Sequence, residues 1–134
     1  MMSRENAQVV RSVYSAWSDG DLDAFLAVCD ARVELLTSGA FPDLAPVYRG
    51  HDGMRTFWQA MRAPWESLHL DPERIVEGAA RAAVVVRFRA QGKGSGVATE
   101  LRQGHALRLK DGRVFKVSTH MSFDEALEAA GLSE

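Results

Sequence analysis

The stretch VATELRQGHALRLKDGRVFKVSTHM, residues 97–121, decides how this chain is read. Asp111-Gly112 near its centre is a two-residue hairpin signal, because both central positions of that tight turn need positive φ. The flanks are then antiparallel strands, whose side chains alternate between two faces. Leu101, Gln103, His105, Leu107 and Leu109 share one parity; Glu100, Arg102 and Arg108 share the other. After the turn, the same alternation sets Phe115, Val117, Thr119 and Met121 inward and His120 outward. An amide and an imidazole therefore stand on the apolar face among leucines. A buried polar pair must find hydrogen bonds there, so Gln103 and His105 mark either a self-satisfied core or a ligand site.

Working outward, residues 80–91 alternate Val84, Val86 and Phe88 against Val85, Arg87 and Arg89, another strand. The linking GKGSG (92–96) is followed by a strand and not a helix, so it reads as a hairpin loop and not a phosphate cradle. Residues 4–18 place Val9, Val10, Val13, Tyr14 and Trp17 at helical spacing. Gly20 suits the stop of that helix, and Asp21 caps a second one over 21–30. A strand follows over 31–37 with Val33 and Leu35 on one side, then an irregular loop over 38–50. Met54, Phe57, Trp58 and Met61 define a third helix that Pro64 ends. Strands and turns occupy the chain from about 66, and the tail is a short helix stopped by Gly131. Short hairpins demand antiparallel pairing, and helices segregated from such a sheet make the class α+β. The expected architecture is one domain over 1–134. It is a cone-shaped barrel of curved antiparallel sheet with three N-terminal helices and a short C-terminal helix, enclosing a pocket.

Composition bounds what the cone can do. Of 134 residues, 46% are apolar and 25% charged, with a net charge of −2 and scattered basic residues, which excludes the basic stripe of a nucleic-acid binder. No window approaches a membrane span. MMSRENAQVV lacks the apolar run of a signal peptide, so the expected location is cytoplasmic. A lone Cys29 allows no internal disulfide, and the four histidines show no ligand spacing, so no metal is expected. No dinucleotide fingerprint is present either.

The segments VVRSVYSAWSDGDLDAFL, VYRGHDGMRTFW, GSGVATELRQGHALRLKDGRV and EALEAAGL, in this order, resemble the nuclear transport factor 2-like superfamily and its SnoaL-like, ketosteroid-isomerase-like branch. The resemblance implies the conical fold, an apolar pocket and frequent dimerisation through the outer sheet face. It also implies positions for known chemistries. The isomerase base falls on Leu35, the tyrosine on Val13 with Tyr14 one residue on, and the oxyanion acid on His105 or, with a different gap, on Gly104, parity favouring His105. The epoxide-hydrolase Arg-x-Asp becomes Arg87-Phe88-Arg89, and its second acid becomes Thr119. Both activities are thereby disfavoured. Cyclase-type acid–base chemistry stays open, because His105 can fill that role.

His105 is the strongest chemical candidate, since an imidazole exchanges protons near neutrality and burial among leucines lowers its pKa. A core histidine satisfied by Gln103, a carbonyl or a water is the competing reading. Tyr14 is the candidate hydroxyl donor, because a buried phenol needs a partner. Expected ligand contacts are Gln103, Trp17, Leu35, Phe57, Trp58, Val86, Phe88, Leu101, Val117, Thr119 and Met121, with Val33 and Phe115 completing the apolar wall. His51 has a capping or loop-fastening place. The expected function is binding of a small, mostly apolar organic molecule and its cofactor-free isomerase- or cyclase-type conversion. The alternative is a non-catalytic protein with a self-filled cone. A homodimer is expected through the outer-face parity that carries Ala83, Val85 and Ala98.

Overall fold

A computed structural model of the chain describes residues 2–37 and 43–134. In order they form α1 (Arg4–Asp19), α2 (Leu22–Ala27), β1 (Cys29–Thr37), β2 (Val47–Arg49), α3 (Gly50–Arg62), β3 (Trp65–Glu77), β4 (Arg81–Gly92), β5 (Ala98–Lys110), β6 (Arg113–His120) and α4 (Phe123–Ala130). Local chemistry sets the helix ends. Ser3 Oγ accepts from the Asn6 amide at 3.1 Å, and Gly20 closes α1 in the left-handed conformation at φ 69°. Asp21 caps α2 by accepting from the Ala24 amide at 3.0 Å. That helix ends earlier than the sequence pattern predicts: Cys29 and Asp30 open β1, because the Val28 carbonyl accepts from the Val114 amide at 2.8 Å and Cys29 pairs with Val114. Within the predicted irregular loop, residues 38–42 lie outside those described, and Val47–Arg49 pairs with β1 as a short strand.

The six strands form one curved, open sheet in the order β2-β1-β6-β5-β4-β3. All neighbours are antiparallel except β1 and β6, which pair in parallel. The hairpin argument covers strands adjacent in sequence; β1 reaches β6 through the whole intervening chain and is free to run in parallel. The Asp111-Gly112 turn has φ of 52° and 76°, as its type requires. Pro72 lies in β3, an edge strand, beside a register shift, where its missing N–H breaks no ladder.

On β4 and β5 the two faces differ in what covers them. Val84, Val86, Phe88, Leu107 and Leu109 point into the main core beneath α1–α3. Ala83 and Ala106 point the other way, beneath α4 with Ala126, Leu127 and Ala130. Ala83 is thus fully buried by this chain's own C-terminal helix, which removes it from the exposed parity on which the dimer expectation rested. Side-chain bonds lock the helices to the sheet and to one another. Ser18 Oγ meets both the amide and the carbonyl of Leu70 at 3.2 Å, and Arg62 donates to the Trp17 carbonyl at 2.6 Å. His51 Nε2 lies 2.9 Å from the Cys29 carbonyl, fastening the start of α3 to β1. No helix among the described residues is long and apolar enough to cross a membrane.

Candidate functional site

The cone holds a cavity of about 50 Å³. Helix α1 supplies Val13, Tyr14 and Trp17, α2 supplies Phe25, and α3 supplies Phe57 and Met61. The sheet supplies Leu35, Thr37, Leu70, Gln103, His105, Val117 and Thr119. Apart from Thr37, Thr119 and one polar seam the walls are apolar. Tyr14 Oη lies 3.0 Å from His105 Nδ1, and His105 Nε2 lies 3.2 Å from Gln103 Oε1. All three side chains are buried. The phenol and imidazole rings face each other, with centroids 5.8 Å apart and planes inclined by 21°.

Hydrogen-bond chemistry fixes the protons in this seam. The Gln103 carbonyl oxygen accepts, so Nε2 of His105 carries the hydrogen and Nδ1 is left to accept from the Tyr14 hydroxyl. Burial holds the His105 imidazole down at about 4, with the nearby His120 adding to the effect, and pushes the Tyr14 phenol above its ordinary value. Near neutral pH the seam is therefore uncharged. Gln103 lines the cavity, and among the described residues its amide NH₂ has no hydrogen-bond partner.

Eight of the residues expected at the site meet there: Tyr14, Trp17, Leu35, Phe57, Gln103, His105, Val117 and Thr119. Five do not. Trp58 packs behind Trp17, with ring centroids 4.2 Å apart, and Val86 and Phe88 lie deep in the sheet core. Leu101 keeps its inward parity but is 36% exposed, since it lies near the start of β5 where no helix covers it. Met121 is 65% exposed because β6 ends at His120 and the chain turns there toward α4. Phe115 also leaves the expected wall. It is the extra residue of a bulge between the Arg108–Lys116 and Leu109–Val114 pairs, so Val114 is the buried one, and Lys110 Nζ lies 5.1 Å from the Phe115 ring centroid. Val33 is buried in the core without reaching the cavity.

Val13, Phe25, Thr37, Met61 and Leu70 line the cavity without having been expected to. The helical spacing of Met54, Phe57, Trp58 and Met61 marked an apolar face and held no sign of which members border the void. Arg87 and Arg89 stand on the opposite face of the sheet, each tied to a carboxylate, and so do not approach the cavity. Among the described residues, no three His, Cys, Asp or Glu side chains gather as metal ligands.

An open curved sheet, closed by three helices over a small apolar cavity with a polar seam, defines a cone-shaped α+β protein. Residues 10–117 match the family model of the SnoaL-like domain, and the chain belongs to that family of the nuclear transport factor 2-like superfamily. It is similar to a nuclear transport factor 2-like protein of unknown function from Burkholderia pseudomallei K96243. The identity is 25% and the TM-score 0.79, over 96% of this chain and 98% of that one. A polyketide cyclase-like protein of Xanthomonas campestris pv. campestris shares 21% identity, with a TM-score of 0.72 over 91% and 93% of the two chains. A SnoaL-like polyketide cyclase-like protein of Jannaschia sp. CCS1 shares 14%, with a TM-score of 0.75 over 97% and 94%. The last two likenesses speak for the fold alone. No curated protein matches the sequence.

Proposed function

We propose that this SnoaL-like chain binds a small, mostly apolar organic molecule carrying a carbonyl or enol oxygen, and moves a proton on it without a cofactor. The observation that carries this reading is the buried Tyr14–His105–Gln103 chain facing an otherwise apolar cavity. A ligand oxygen accepts from the Gln103 NH₂ group or from the Tyr14 hydroxyl once that hydroxyl turns away from Nδ1. The turn frees the Nδ1 lone pair, which takes a proton from the carbon next to the carbonyl and returns it at another position, giving isomerase- or cyclase-type chemistry. Gln103 Oε1, accepting from Nε2–H, steadies the transient imidazolium. An imidazole held near 4 is a weak base, so the substrate C–H must already be acidified by its carbonyl neighbours.

A second reading, a non-catalytic member with a self-filled cone, is favoured by one observation: both His105 nitrogens are bonded to protein beside a cavity of about 50 Å³. A water needs roughly 10–15 Å³ of such space, so this cavity admits a handful of heavy atoms unless side chains move. Screening small aromatic and 1,3-dicarbonyl compounds by protein NMR and by turnover separates the two. The enzymatic reading expects a ligand that shifts cavity resonances and a turnover lost in His105→Ala and strongly reduced in Tyr14→Phe. Turnover unchanged in both variants refutes it. Dimerisation through the outer sheet face is part of the same proposal, restricted to the area over β3–β5 that α4 leaves uncovered.

A further inference from the structure

The outer sheet face holds a feature unrelated to the cone. Its arginines are largely paired: Arg87 with Glu100, Arg89 with Asp71 and Arg102 with Glu73, each at 2.7 Å, and Arg49 with Glu34 at 3.2 Å. One cross-strand row breaks this pattern. Arg81 on β4 stands opposite Arg108 on β5, and Arg108 stands opposite Lys116 on β6. Among the described residues, none of the three has an ion-pair partner. Glu34, next along the row, is engaged by Arg49. Like charges directly opposite on neighbouring strands destabilise a sheet, so the Arg81–Arg108 and Arg108–Lys116 pairs cost the protein stability, with Glu34 opposite Lys116 as the row's one acid. Arg81 is also held in place, because its Nη1 donates to the Ala130 carbonyl at 3.5 Å, at the C-terminal end of α4.

This row borders a cleft of about 90 Å³ between the sheet and the last turn of α4, lined by Arg81, Arg108, Lys116, Ser118, Ala106 and Ala130. Ser118 Oγ lies 2.7 Å from His120 Nε2. In the tautomer where Nε2–H donates to Ser118 Oγ, the serine hydroxyl proton is free to point into the cleft.

We propose that this cleft binds a phosphate group, free or borne by a small organic ester. Three cations in a cleft whose lining holds no carboxylate match a dianion with several acceptor oxygens better than a monovalent carboxylate. The alanine wall under α4 leaves room for the group, and the short row, on a chain of net charge −2, does not extend into the basic track of a nucleic-acid binder.

The test is a titration of ¹⁵N-labelled protein with sodium phosphate at pH 7.5, against sodium chloride at matched ionic strength. Saturable shifts of the Ala106, Ser118 and Ala130 amides are expected with phosphate and not with chloride. Arg108→Gln combined with Lys116→Gln should weaken phosphate binding about tenfold or more, while thermal stability without phosphate holds or rises as the repulsion is relieved. Both side chains are exposed, so the core is untouched, and Lys116→Gln alone serves as a second variant. Phenyl phosphate binding more tightly than inorganic phosphate identifies an ester as the ligand class; equal or weaker binding identifies the free anion. Non-saturating shifts matched by chloride, or an affinity unchanged in both variants, overturn the proposal.

Discussion

Replacing His105 with glutamine removes the cone's buried imidazole while keeping a polar side chain in its place, and the pH dependence of stability reads the result. In the folded protein burial holds this imidazole at about 4; in the unfolded chain it returns to about 6.5. Above pH 6.5 the ring is neutral in both states and its contribution to stability is fully present. Between 6.5 and 4 the unfolded chain binds a proton that the native cone excludes, so stability falls as the pH falls, by about 1.4 kcal/mol per pH unit. The loss reaches about 2.5 kcal/mol at pH 4.5 and about 3 kcal/mol in full, against a typical domain stability of roughly 5–15 kcal/mol. Urea unfolding followed by the fluorescence of the three tryptophans, at pH 7.5 and 4.5, gives the acid-induced loss for each protein. The wild type should lose about 2.5 kcal/mol more than His105→Gln. The Tyr14 hydrogen bond lost in the variant is absent at both pH values and drops out of this difference. His120, also held down by burial, contributes in the same direction to both proteins and cancels. Equal acid-induced losses, within about 0.5 kcal/mol, would refute a buried neutral imidazole.

Two further outcomes are expected. A Cβ added at Gly104 would lie 2.4 Å from the Ser122 carbonyl oxygen and 2.8 Å from Ala126 Cβ, so Gly104→Ala must push α4 off the sheet; a loss of about 2 kcal/mol in urea unfolding is expected, and a neutral result would contradict this packing. Light scattering should return twice the 14.7 kDa chain mass, and a monomer at tens of micromolar would reject pairing through the outer face.

Features that depend on a few neighbouring residues were legible in the sequence. The Asp111-Gly112 turn, the Asp21 cap and the Gly20 and Gly131 stops rest on local backbone chemistry, and all four hold in the fold. The phase of β5 was legible too, because nothing interrupts its alternation between Leu101 and Leu109. The phase of β6 was legible from Val117 onward, where Val117 and Thr119 face inward as expected, and not before it. Its bulge leaves Val114 inside and Phe115 outside, and with both residues apolar the pattern bears no mark of the slip. Leu101 shows a different limit: parity says which way a side chain points, and burial depends on what lies above it. The Tyr14–His105 contact joins residues 91 positions apart. The periodicity of α1 put Tyr14 on or beside an apolar face, and that face proved wide enough to bury Val13 and Tyr14 together.

The outer helix and the inner seam meet at one residue. Gly104 separates Gln103 from His105, and α4 presses against its bare Cα from the opposite side of the sheet. Packing on the outer face thereby holds β5 at the depth where its two polar side chains reach each other and Tyr14. The composition of that seam also limits its chemistry. A carboxylate on this apolar wall would need a strong partner to stay charged, whereas a neutral phenol, imidazole and amide satisfy one another at far smaller cost. With Leu35 and His105 on this wall and no carboxylate lining the cavity, the seam stays uncharged at neutral pH. On the proposed function, a proton moves there only after a ligand oxygen displaces the Tyr14 hydroxyl from Nδ1, which would make binding and chemistry depend on the same hydrogen bond.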